Sequence, residues 1–254
     1  MAMPSIGPAL VKFVAAAMVI GMNTAHAAEI KVIASAAIKE AYLDLVPAFE
    51  KSSGQKVTTI WSGSESITKR ISGGEVVDIV IIAATNIDKL ILEGKLVAGS
   101  RTDIAKSGVG IAVRTGLSKP DISSSEAVKK AVLAAKSVAY SSGPSGFYVA
   151  DLFRKMGIAD QIKEKVKQTP SGVQVGELVA RGEADLGFQQ VSELLHVKGI
   201  DYLGPLPADI QHFTVFSAGL HRAATAPDAA KALMKFLTAP EAGPIIRKAG
   251  MEPS

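Results

Sequence analysis

The chain has 254 residues, 28 basic against 24 acidic side chains, a formal net charge of +4 and no cysteine. The lack of cysteine excludes disulfide staples, thiolate metal ligands and a cysteine nucleophile, so stability rests on a packed core. The positive excess is small, and lysines are scattered along helical patterns such as Ile162 to Gln168 without aromatic interleaving, which argues against a nucleic-acid partner and leaves mild steering of anions.

Residues 1–27 read as a signal peptide. Lys12 precedes a short apolar stretch, Phe13 to Met22, and Ala25-His26-Ala27 supplies the small-x-small cleavage pattern, which leaves Ala28 as the new N-terminus. The stretch is too short for a bilayer span, which takes roughly 20 apolar residues. The expected product is therefore periplasmic and not membrane-spanning.

Strands then alternate with helices. Glu29 to Ala34 reads as a buried strand, and Ala37 to Lys51 as a helix with Ile38, Tyr42, Leu45 and Phe49 on one face. Lys56 to Trp61 is the next strand, Ser64 to Ser72 a short helix stopped by Gly73-Gly74, and Val76 to Ala83 a fully apolar strand. This βαβαβ order places parallel strands with their carboxyl ends on one edge. A helix over Asn86 to Glu93 leads to an extended, glycine-bearing segment, Ser107 to Val113.

A second α/β unit follows: a helix over Ser125 to Ala135, a strand over Ser137 to Ser141 and a helix over Phe147 to Met156. Helical turns over Gln161 to Lys167 and Val173 to Arg181 then precede a strand at Asp185 to Gln189. A second long extended segment, His212 to Leu220, precedes helices at Asp228 to Leu237 and Pro240 to Ala249. Two α/β units joined by two extended crossings describe a two-lobed hinge protein, with 28–107 and 212–254 forming lobe 1 and 108–211 forming lobe 2.

Two segments run from a strand through small hydroxyl residues into a helix, one around Ser35 and the other through Ser62-Gly63-Ser64. The first turn of a helix has unpaired N–H groups and the positive end of the macrodipole, so such loops suit an anion held by uncharged donors.

The run Ile33 to Ala41, the helix end Ala48-Phe49-Glu50 to Gly54, the loop Trp61 to Ser64, the strand Val77 to Ala83 and the stretch Arg181 to Gly187 together resemble the periplasmic molybdate-binding proteins of ABC importers. The resemblance spans essentially the whole chain after the leader. It implies an α/β type II periplasmic-binding fold, each lobe a mostly parallel sheet flanked by helices, closing on an anion for delivery to an ABC permease. It implies a monomer.

Carried over by position, Ser64 matches a family serine that donates to the oxyanion. Ala37 stands where the first-loop serine belongs, and Ser35 lies two residues early. The third loop is replaced by Ser141 to Gly146, and the tyrosine after the Leu-Gly strand becomes Gln190, beside Gln189. These departures fall on the ligand contacts and favour an organic acid, with an oxyanion as the other option. An amide at Gln190 donates and accepts, and Ser142, Ser145 and the Gly146 N–H can receive a carboxylate where the Phe147 helix begins. The expected ligand set is Ser35, Ser62, Ser64, Ser142, Ser145, Gly146, Gln189 and Gln190, with Tyr148 able to close over the solute.

His196, His212 and His221 show no metal-ligand spacing, no Gly-x-Ser-x-Gly elbow is present and the glycines match no phosphate or dinucleotide loop. No metal or other cofactor is expected. The resemblance leaves one enzyme open, because some proteins on this scaffold are aconitate isomerases, which move a proton between allylic carbons. Lys39 and Glu65, beside the two anion loops, are the candidates for acid and base.

Overall fold

The computed structural model describes residues 1–2 and 29–254. The signal-peptide reading, with its apolar stretch and cleavage motif, lies outside the described residues. The protein is α/β, with one mixed, curled sheet flanked by helices.

Its first half is built around β1 (Glu29–Ser35), which pairs in parallel with β2 (Lys56–Ser62) on one side and β3 (Ile79–Ala83) on the other. Every residue of β3 is buried, because helices cover both faces. Ile79 and Ile81 face α1 (Lys39–Ser53), α9 (Pro227–Leu237) and α10 (Gly243–Lys248), while Val80 and Ile82 face α2 (Ser64–Ser72) and α3 (Ala84–Leu92). That is the period-2 alternation of a strand, with helical residues at 3.6 spacing closing over each side. Asp78, just before β3, fastens the arrangement. Its buried carboxylate accepts from the backbone N–H groups of Lys31, Thr225 and Ala226 and from the Thr225 hydroxyl.

The second half holds β5 (Val138–Ser141), parallel to β6 (Val166–Thr169) and β7 (Leu186–Gln190). α4 (Ser125–Ala134), α5 (Pro144–Lys155) and α6 (Ala159–Ile162) pack on one face, and α7 (Val175–Ala180) lies on the other.

The halves meet through two chain crossings. In β4 (Thr102–Arg114), residues 102–108 pair with β9 (Phe213–Leu220), and residues 109–113 pair with β7. The return crossing runs from β8 (Ile200–Pro205) to β9. Within it, Gln211 clasps β4: its Oε1 accepts from Val109 N at 2.8 Å and its Nε2 donates to Val109 O at 3.1 Å. All pairings made by β4 and β9 are antiparallel, so parallel strands lie outermost and antiparallel ones where the halves join.

The helical turns expected over Gln161 to Lys167 hold as far as Lys165 and are corrected at their end. Helix α6 ends at Ile162, a 3-10 turn covers Lys163–Lys165, and an edge strand starts at Val166. That strand is four residues long and buries little except Thr169, so no alternating signal betrays it. Strand β8 and the two-residue β10 (Glu252–Pro253) were likewise not anticipated, and both attach to β4. Among the described residues, no helix is long and apolar enough to cross a membrane.

Candidate functional site

Because β1, β2, β5 and β7 point their carboxyl ends toward the junction of the halves, the loops that follow them converge there. An inner cavity of about 30 Å³ is walled by Ser35 and Ala37 after β1, Gly63 and Ser64 at the start of α2, and Phe216 of β9. The second half contributes Ser141, Gly143, Pro144 and Ser145 at the start of α5, Ser171 to Val173 after β6, and Gln189, Gln190 and Glu193. This volume accommodates a few waters or the head of a small acid.

Of the eight ligand residues expected from sequence, Ser35, Ser64, Ser145, Gln189 and Gln190 line this cavity. All five are buried. Ser62, Ser142 and Gly146 do not line it, each being the chain neighbour of a residue that does. Ser142 N donates to Thr169 O at 2.8 Å, which ties the ends of β5 and β6. Gly146 lets α5 lie against β5, since a Cβ there would sit 1.6 Å from Ser141 O. Tyr148 donates its hydroxyl to Ile210 O at 2.7 Å and stacks on His212, so it braces the return crossing.

The hydroxyls divide into two kinds. Ser35 Oγ accepts from Ala37 N at 3.3 Å and Ser64 Oγ accepts from Ala83 N at 3.2 Å, so each keeps its own proton for a solute in the cavity. Ser145 Oγ has no hydrogen-bond partner among the described residues. Around Ser64 and Ser145, the first turns of α2 and α5 add N–H groups without helical partners, of which Ser66 N donates to Ser171 Oγ at 3.4 Å. The arrangement is one of uncharged donors converging on one cavity.

Gln189 has a fixed orientation. Its Oε1 accepts from Val175 N at 2.8 Å and Gly176 N at 3.4 Å, which turns its Nε2 toward Glu193 Oε1 at 2.9 Å. Glu193 is the only charged side chain in the cavity wall among the described residues. Burial pushes its carboxyl up to about 7, against the lowering effect of the Gln189 hydrogen bond. Gln190 donates from Nε2 to Thr214 Oγ1 at 2.9 Å, while its Oε1 is buried with no partner.

Lys39 and Glu65, the acid–base candidates, lie outside the inner cavity. Lys39 borders an outer cleft of about 400 Å³ together with Glu40, Gln174, Glu177, Arg181, Glu193, His196 and Lys198. Glu65 accepts from Asn86 Nδ2 at 2.9 Å, within the first half. Glu193 thus borders both spaces.

Sequence reasoning missed Ser171, Gly172 and Glu193. Extending the helical turns over residues 166–167 hid the strand whose carboxyl end carries Ser171-Gly172 to the same edge as the other loops. For Glu193 the available signal was its place three residues after Gln190, at the start of α8 (Val191–Leu194).

Gly63 and Gly172, both in the cavity wall, touch across the junction. A Cβ on Gly63 would lie 2.1 Å from Ser171 Oγ and 2.4 Å from Gly172 N. Gly172 has φ +91° and its own Cβ would lie 2.8 Å from Gly63 N, so both conformation and space require glycine there.

A sequence model described as bacterial extracellular solute-binding protein matches residues 30–252. The chain belongs to that family. Among curated relatives of this solute-binding protein, an aconitate isomerase from Pseudomonas sp is 36% identical over 228 residues, covering 87% of each chain. The molybdate-binding protein ModA of Azotobacter vinelandii is 30% identical over 235 residues, 89% of this chain and 90% of that one. The solved Azotobacter vinelandii periplasmic molybdate-binding protein superposes with a TM-score of 0.75 at 22% identity, covering 87% of this chain and 98% of that one, a likeness of fold.

Proposed function

We propose that this solute-binding protein is exported to the periplasm, captures a small anion and presents it to an ABC-type permease. The solute is an organic acid or an oxyanion, held by Ser35, Ser64 and Ser145 and by the first turns of α2 and α5. Residues 28–107 with 212–254 act as one lobe and 108–211 as the other, hinged where Gln211 clasps Val109. The observation that carries the reading is that serine hydroxyls from both halves wall one cavity. A solute larger than the cavity enters by parting Gly63 from Ser171-Gly172.

A melting screen of the mature chain against molybdate, sulfate, phosphate, citrate and cis- and trans-aconitate tests it. A ligand at a hundredfold excess over Kd stabilises by about 2.7 kcal/mol. For a chain of this size that raises Tm by about 5–10 °C. No shift with any of these anions overturns the reading.

A second reading is favoured by Glu193. Aconitate isomerisation needs a group that takes a proton from one carbon and returns it to another, and a carboxyl near 7 in the cavity wall suits that at neutral pH. The relative named an aconitate isomerase supports the same reading. Lys39 and Glu65 lie farther from the solute in this arrangement. A proton NMR time course of cis- and trans-aconitate in deuterated buffer decides. Interconversion or deuterium uptake establishes the isomerase, whereas thermal stabilisation by aconitate with neither leaves the pure binder.

A further inference from the structure

An anion site does not ordinarily carry its own carboxylate. Yet Glu193 faces the inner cavity, and the amide of Gln189 is its one hydrogen-bond partner among the described residues. Because that amide is locked by Val175 N and Gly176 N, it donates to Glu193 in either protonation state. On its outer side Glu193 shares the cleft with Lys39 and Glu40 of α1, Glu177 of α7 and Arg181 just after it, and His196 and Lys198 after α8. None of these six forms an ion pair with it among the described residues, and Arg181 is engaged by Glu177 and Glu183. Among the described residues no cation is ion-paired with this carboxylate to offset an anion arriving beside it.

Gln190 poses the same demand. It is 2% exposed, one N–H of its Nε2 goes to Thr214, and its Oε1 has no donor. A bound, fully deprotonated anion satisfies the serines but leaves this acceptor unpaired, and a buried orphan acceptor costs about 1–3 kcal/mol. The wall therefore holds two acceptors, Glu193 and Gln190, beside its donors.

We propose that this site takes its solute together with one proton: the ligand is a small acid that keeps an O–H, or binds a neutral Glu193, and fully deprotonated oxyanions are selected against. The proposal rests on the reading of the inner cavity as the solute site. It divides the possible solutes by chemistry, with partly protonated carboxylic, hydroxy or phosphoric acids on one side and sulfate and molybdate on the other.

The pH dependence follows in sign. Below about 7 Glu193 carries its proton and offers a donor; above it the carboxylate repels an anion that brings none. Affinity for such an anion falls by about tenfold for each pH unit above that point. A solute with its own O–H keeps its affinity until that proton leaves.

Isothermal titration of the mature chain with sodium phosphate and sodium sulfate compares two tetrahedral anions that differ at pH 8 by one proton; trans-aconitate serves as the organic probe. Phosphate is expected to bind at least tenfold more tightly than sulfate at pH 8. Trans-aconitate is expected to bind at pH 8 with uptake of about one proton, read from buffers of different ionisation enthalpy. Glu193→Gln is expected to abolish that uptake, flatten the pH profile and narrow the phosphate preference. Gln190→Leu, which removes the second acceptor, is expected to narrow the same preference and serves where Glu193→Gln does not fold.

Probes that bind without proton uptake and without preference for phosphate overturn the inference while leaving the anion site standing. So does a Glu193→Gln protein with the unchanged pH profile. If none of the probes binds at either pH 6 or pH 8, the site reading falls and this inference with it.

Discussion

Replacing Gly63 by alanine adds one methyl group at the point where the two halves touch. Gly63 itself has φ −89° and ψ 155°, a conformation alanine adopts freely, so the backbone of its own loop is not strained. The difficulty lies across the junction. The new Cβ would stand 2.1 Å from Ser171 Oγ, 2.4 Å from Gly172 N and 2.7 Å from Ser171 C, where carbon contacts settle near 3.5–4.0 Å. Ser171 Oγ can rotate away, but Gly172 N and Ser171 C are backbone, and the loops must separate by about an ångström. Overpacking of this kind costs about 1–3 kcal/mol. Since the penalty falls on the closed form alone, it appears as a Kd raised by about 5- to 150-fold, toward the upper end because backbone is involved.

Titration of trans-aconitate and phosphate into wild type and Gly63→Ala measures the effect, with thermal melts of the free proteins beside it. If the proposed lobes part in the free protein, the expected result is weakened binding with a far smaller change in the melting of the free protein. A Gly63→Ala protein that binds both probes within twofold of wild type refutes closure across Gly63 and Gly172 as the step that holds the solute.

Ser145→Ala and Ser64→Ala should separate binding from folding. Each removes a hydroxyl worth about 1.5–3 kcal/mol to a charged solute, about 10- to 150-fold in Kd. Ser64→Ala also strips the acceptor from Ala83 N and should lower Tm, which Ser145→Ala should not; equal melts would discount the Ser64 to Ala83 bond. Asp78→Ala leaves buried N–H groups of Lys31, Thr225 and Ala226 without their acceptor and should cost about 3–5 kcal/mol, a Tm drop of about 10 °C by calorimetry. Burial by itself raises the Asp78 carboxyl, but hydrogen bonds from Lys31, Ala226 and Thr225 outweigh it and the net displacement is downward. Its stabilisation is therefore complete above about pH 4 and lost as pH falls through the depressed native value, so Asp78→Asn should flatten the acid limb of the stability curve. Gly146→Ala should cost about 3 kcal/mol or more, because its methyl group would overlap Ser141 O; an unchanged melt contradicts the tight seating of α5 on β5.

The sequence by itself determined the parts of this protein whose signal is local. The apolar run at Ile79 to Ala83 had to be a covered strand, and the amphipathic spacing of Tyr42, Leu45 and Phe49 had to be a helix face, because period and burial are written in consecutive residues. Serines placed where a strand turns into a helix announced donors for an anion, which brought Ser35, Ser64 and Ser145 into view before any coordinates. Strands β6 and β8 stayed hidden, since short, little-buried strands owe their form to a partner distant in the chain.

Only the tertiary structure decided what those donors face. Ser171-Gly172 reaches Gly63, more than a hundred residues earlier, through the pairing of β5 with β6, and no local pattern encodes that contact. Glu193 is an ordinary helix glutamate in the sequence. Its carboxyl is pushed up because folding half-buries it beside the Gln189 amide, and desolvation is a property of the assembled cavity rather than of the residue.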